Sequence, residues 1–124
     1  MEIRSVEVAY VHTANPGPLA AWFRETLGLD VAYDDGHWIE FAIGDGTRFG
    51  LDGTTFQRSS VEAQPVMISF RVDDVAAAVA ELVDRGVTFY PDPERAIFDV
   101  GPALVASFQD PEGTWYQLSQ PRDG

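Results

Sequence analysis

Residues Ser5 to Val11 alternate between apolar and polar side chains, the period-two pattern of a strand with one covered face. Asn15-Pro16 then supplies a capping residue and a helix-starting proline. Leu19, Trp22, Phe23 and Leu27 follow at helical spacing, and Gly28 is a natural stop. Three strand-like stretches come next: Leu29–Tyr33, Trp38–Ile43 and Thr47–Leu51. The turn sequences Asp34-Asp35-Gly36 and Gly44-Asp45-Gly46 separate them. The first half therefore reads βαβββ.

The same grammar repeats. Val66–Val72 alternates, Asp73-Asp74 can cap a helix, and Val75, Val79, Leu82 and Val83 form its apolar stripe up to Gly86. Val87–Tyr90, Leu104–Gln109 and Trp115–Ser119 read as strands. Asp110-Pro111-Glu112-Gly113 fits a type I turn with proline second and glycine fourth. The polar, aperiodic join between Gly53 and Pro65 reads as a linker, residues 54–64, between modules 1–53 and 65–120. Pro91–Pro102 is a second long loop, of a length often found in lids.

The alternation assigns faces. Val8, Tyr10, Phe49, Leu51, Ile68, Phe70, Val72, Tyr116 and Leu118 share one parity and are expected under the helices. The other parity holds Glu7, Ala9, Val11, Arg48, Gly50, Asp52, Met67, Ser69, Arg71, Trp115, Gln117 and Ser119. Its mixture of charge, amide, hydroxyl and aromatic groups suits a cup for a partly apolar ligand, although an ordinary solvated sheet face would share much of it. The expected fold is α+β: a single domain of two βαβββ modules forming a curved mixed sheet, with helices on its convex side.

Composition narrows the partners. The chain has 124 residues, enough for one domain with its own core. It has no cysteine, so disulfides and thiolate ligation are excluded. No apolar run approaches the roughly 20 residues of a bilayer span, and the first ten residues show no signal-peptide pattern, so a cytoplasmic protein is expected. The formal charge of −12 repels phosphate backbones and attracts cations. Neither nucleic acid nor membrane is an expected partner.

The chemistry-bearing residues are few. His12 ends the first strand and His37 follows a turn, positions where a lone histidine is usually structural. No glycine-rich phosphate loop is present, and Ser69 and Ser107 lack an identifiable base. There remain the charged groups Glu7, Glu40, Arg48, Asp52 and Arg71. They could pair structurally, hold a charged ligand, or supply a general base. Trp22 is expected in the helix–sheet core, whereas Trp38 and Trp115 could wall a planar ligand.

Three segments carry a family resemblance. Leu19-Ala20-Ala21-Trp22-Phe23-Arg24-Glu25-Thr26-Leu27-Gly28-Leu29 resembles the first helix and stop of the vicinal oxygen chelate superfamily, which includes glyoxalases, bleomycin-resistance proteins and extradiol dioxygenases. Phe70-Arg71-Val72-Asp73-Asp74-Val75 resembles the opening of its second half. Asp110-Pro111-Glu112-Gly113 with Trp115-Tyr116-Gln117-Leu118 resembles its last hairpin. By that resemblance the four metal-ligand positions fall on Glu7, Gly50, Met67 and Gln117, with Val6 or Val8 replacing Glu7 if the first strand is shifted by one. Glycine has no side chain and a thioether suits hard divalent ions poorly, so no metal or other cofactor is expected.

The resemblance implies a metal-independent small-molecule binder like the drug-sequestering branch, holding a cationic or planar aromatic ligand. The ligand-binding residues would be Glu7, Trp38, Glu40, Arg48, Asp52, Met67, Ser69, Arg71, Trp115 and Gln117. A metal-free isomerase- or lyase-like enzyme is the alternative, with Glu7 or Glu40 as base and Arg48 or Arg71 stabilising developing negative charge. A metal-dependent lyase or dioxygenase ranks third. The family also implies a homodimer in which Glu7 and Arg48 of one subunit face Met67, Arg71 and Gln117 of the other.

Overall fold

The structure, a computed structural model, describes residues 1, 2, 4, 6, 8–44, 47–53, 67–101 and 103–122. The linker expected at 54–64 lies outside them, as does Glu7. The chain divides into two units, Met1–Val61 and Glu62–Gly124.

In the first unit β1 (Val8–His12) leads to α1 (Pro16–Thr26), then β2 (Asp30–Asp34), β3 (Trp38–Ala42) and β4 (Arg48–Asp52). The sheet order is β1-β4-β3-β2, with β1 parallel to β4 and the other pairs antiparallel. This is the βαβββ order read from the sequence. Leu19, Ala20 and Phe23 of α1 bury against Ile39, Phe41, Phe49 and Leu51. The Phe23 ring is fully buried, 5.6 Å from Phe41 and 5.2 Å from Phe49. Burying one such side chain stabilises the unit by about 1.5–3 kcal/mol. Trp22 is only half-buried, edge-on to Phe23. Gly53 ends the unit's described part where a Cβ would meet Pro16 Cγ at 2.4 Å, so only glycine lets the end of β4 reach the start of α1.

One face assignment is reversed. Ala9 pairs with Phe49 and Val11 with buried Leu51, so odd positions of β1 share the core side. Val8, Tyr10 and His12 pair with Arg48, Gly50 and Asp52 on the opposite side. Tyr10 is accordingly 46% exposed and Val11 only 7%. Both parities of this strand carry apolar residues, and the buried member of each neighbouring pair decides between them.

The second unit runs β5 (Ile68–Arg71), α2 (Val75–Asp84), β6 (Phe89–Tyr90), a 3-10 turn (Pro93–Arg95), β7 (Ile97–Asp99), β8 (Ala103–Gln109) and β9 (Trp115–Pro121). β5 is parallel to β9; β8 is antiparallel to β9, β6 and β7. The stretch read as one long loop thus contains a strand, anchored by buried Ala96 and by the pairing of Ile97 with Ala106. Val75, Val79 and Leu82 of α2, together with Phe89, Phe108, Tyr116 and Leu118, are buried. The β8–β9 turn closes as expected, with Gly113 N donating to Asp110 O at 3.0 Å and Gly113 at φ 84°.

α2 is capped by Asp74, which accepts from Ala77 N at 3.1 Å. Asn15 holds the N-cap position of α1 without a side-chain cap bond, and Asn15 N instead donates to Thr13 Oγ1 at 3.0 Å. Among the described residues no helix is long and apolar enough to cross a membrane.

Candidate functional site

The side of the first sheet turned away from α1 carries Tyr10, His12, Trp38, Glu40, Arg48, Gly50 and Asp52. The turn before β3 aims Trp38. Asp35 Oδ1 accepts from Trp38 N at 2.7 Å and His37 N at 2.9 Å, and these amides hold the Asp35 carboxyl below its ordinary range. Gly36 adopts φ 89° within that turn.

Trp38 then lies across Gly50. A Cβ at position 50 would fall 3.0 Å from Trp38 Cζ2 and 3.0 Å from Ile39 O. The indole is held on the same edge, where Nε1 donates to Glu40 Oε1 at 3.2 Å. Arg48 Nη1 donates to Glu40 Oε2 at 3.1 Å, so both carboxylate oxygens are engaged. Tyr10 stands edge-on to Trp38 with centroids 5.1 Å apart, and edge-on to His12 at 5.4 Å. His12 Nδ1 lies 2.9 Å from Asp52 Oδ2. Tyr10 thus stands edge-on to both other rings, with Asp52 paired across the sheet with both His12 and Trp38, and Glu40 beside Trp38.

In the second unit Ser69 Oγ donates to Gln117 Oε1 at 3.2 Å across β5 and β9. Trp115 is half-buried, nearly perpendicular to Tyr90 at 6.1 Å. Arg71 and Met67 are exposed, Met67 at 45%.

The residues singled out in the sequence are therefore distributed. Trp38, Glu40, Arg48 and Asp52 come together in the first unit; Ser69, Trp115 and Gln117 lie on one side of the second sheet with Arg71. Tyr10, His12 and Tyr90 were missed as site residues. The first two were hidden by the phase of β1. The sequence carries no signal for them: with Phe49 and Leu51 inward, the register of the parallel β1–β4 pair decides which β1 positions share their side.

Of the four positions that the resemblance assigns to metal ligands, the three within the described residues offer no donor set. Gly50 has no side chain and is covered by the indole, Met67 ends in a thioether, and the Gln117 carbonyl oxygen already accepts from Ser69. Among the described residues no three His, Asp or Glu side chains converge.

This chain belongs to the glyoxalase-like domain family, whose profile matches residues 8–119, and with it to the vicinal oxygen chelate superfamily. Among solved structures it is similar to a glyoxalase/bleomycin resistance protein/dioxygenase from Nocardioides, at 17% identity and a TM-score of 0.77, covering 100% of this chain and 87% of that one. It is also similar to TnmS3, an antibiotic binding protein from Streptomyces sp. CB03234, at 26% identity and a TM-score of 0.73, covering 98% and 99%. A lactoylglutathione lyase from Agrobacterium tumefaciens shares the fold at 11% identity and a TM-score of 0.73, covering 97% and 96%. A search of curated protein sequences gives no match.

Proposed function

We propose that the protein is a metal-independent binder of a planar, cationic or amphipathic small molecule, acting as a homodimer. The observation that carries this reading is the aromatic cluster of the first unit, with Trp38 seated over Gly50 and the Asp52 and Glu40 carboxylates beside its rings. Aromatic ring faces with carboxylates beside them are the chemistry that holds an aromatic cation. The likeness to an antibiotic-binding protein at 26% identity supports it. A base role for Glu40 would first require giving up its contact with Trp38 or Arg48, which favours binding over proton abstraction at that residue. Glu7, outside the described residues, is the other base that the enzyme alternative names.

The test is a fluorescence titration against cationic aromatic antibiotics, with mass spectrometry of the recovered compound. Saturable binding with the compound recovered unchanged is expected. Trp38→Ala and Trp115→Ala should each weaken binding about tenfold, the equivalent of roughly 1.4 kcal/mol. Conversion to a new product at catalytic protein concentrations would overturn the reading in favour of an enzyme.

A further inference from the structure

The second sheet buries one side through Ala106, Phe108, Tyr116 and Leu118, and the alternating positions face the other way. Two cross-strand rows lie on that outer side. One runs Phe98–Val105–Ser119–Arg71 through β7, β8, β9 and β5. The next runs Tyr90–Ser107–Gln117–Ser69 through β6, β8, β9 and β5. Each row starts at an aromatic ring and ends at a polar group on β5, and neither holds an aspartate or glutamate. The ends are exposed, Phe98 at 42%, Tyr90 at 58%, with Arg71 and Ser69 likewise exposed. The middle is not: Val105 is buried, and Ser107, Gln117 and Ser119 are half-buried. Short side chains between longer exposed ones leave a trough. Adjacent strands lie about 4.8 Å apart, so roughly 14 Å of sheet separates Phe98 from Arg71.

Arg71 gives this trough its charge. Arg4, Arg24, Arg48, Arg85, Arg95 and Arg122 each have a carboxylate at 3.9 Å or closer. Among the described arginines only Arg71 has none, in a chain with 20 acidic residues against 8 basic ones. Asp73 and Asp74 follow it closely in sequence, but Asp74 is turned to α2, where it accepts from Ala77 N at 3.1 Å. The net charge of −12 opposes an anion from afar. Beyond about 8 Å such repulsion is largely screened at physiological salt. At contact, a guanidinium offers a carboxylate two parallel N–H donors.

We infer that the trough binds an elongated molecule with an aromatic ring at the Phe98–Tyr90 edge and a carboxylate on Arg71. The inference goes beyond the reading above, because this site lies in the other unit and uses none of the first unit's carboxylates. Either can fail without the other.

The experiment compares three probes with one body and three head groups: 6-phenylhexanoate, 6-phenylhexanamide and 6-phenylhexylamine. NMR titration of the full chain at neutral pH should rank them acid, amide, amine. The acid should bind about three- to fivefold more tightly than the amide, the scale of an exposed ion pair. Arg71→Gln should bring the acid down to the amide's affinity and leave the amide unchanged, which shows that the trough is intact. Phe98→Ala should weaken all three alike. Equal binding of acid and amide to the unaltered protein overturns the inference, as does a preference for the acid that survives in Arg71→Gln. If none of the three binds, the inference falls, while titration with aromatic cations still decides the reading of the first unit. If Arg71→Gln instead halves the mass seen by light scattering, Arg71 serves a subunit contact and the inference is likewise overturned.

Discussion

At the scale of single residues, the last hairpin hangs on Asp110, a carboxylate only 5% exposed. Its Oδ1 accepts from Glu112 N and Thr114 N, and its Oδ2 from the Tyr116 hydroxyl at 2.8 Å. Tyr116→Phe removes one donor and leaves a buried charged acceptor short of a partner. A loss of about 1–3 kcal/mol is expected, measured as a lower midpoint in urea. The sequence showed the turn clearly, because Pro111 and Gly113 sit where a type I turn needs them. It did not show the tyrosine's role, since that contact depends on how β9 folds back over the turn. The same limit explains the site: Trp38, Glu40, Arg48 and Asp52 were legible from strand parity, but nothing in the local sequence reports that an indole lies over Gly50.

At the scale of elements, the two helices start differently. Asp74 makes a side-chain cap, so Asp74→Ala should cost about 1 kcal/mol. Asn15 makes none, so Asn15→Ala should stay within about 0.5 kcal/mol, and thermal melts of the two variants compare them directly. Both residues had looked like caps, because residue type alone does not fix side-chain direction. β1 failed similarly: Val6, Val8 and Tyr10 compete with Ala9 and Val11 for the inward side, and only pairing with β4 settles the phase. The β2–β3 turn adds a pH effect. The Trp38 and His37 amides lower the Asp35 pKa from its ordinary 3.8, so its contribution to the turn is complete above that value and is lost as pH falls through the depressed one. NMR titration of the His37 and Trp38 amides should show their step at lower pH than a free aspartate gives, and no such step in Asp35→Asn.

At the scale of the whole molecule, the absence of a donor set at Gly50, Met67 and Gln117 predicts indifference to chelation. Melting temperature should be the same with and without EDTA, and elemental analysis after dialysis should find no stoichiometric divalent ion. One bound zinc, nickel, manganese or iron per chain would contradict it. The proposed homodimer is checked by light scattering, which should return twice the chain's 13.6 kDa across micromolar concentrations. Among the described residues β1 and β5 each have a strand partner on one side only within their sheets, the kind of edge that a second copy can cover. The repeated βαβββ order was legible because each half carries its own helix stop and turns. β7 was not, because three residues are too few to show a period.

The indole over Gly50 also constrains the order in which this sequence could change. Any side chain placed at position 50 meets the Ile39 carbonyl oxygen at 3.0 Å as well as the ring, and the backbone oxygen cannot swing aside as a side chain can. A histidine or glutamate introduced at 50 would therefore be harmful while Trp38 remains, and losing Trp38 first would leave the glycine uncovered. Removing Trp38 alone therefore does not make room for a ligand at position 50, because the Ile39 carbonyl must shift as well.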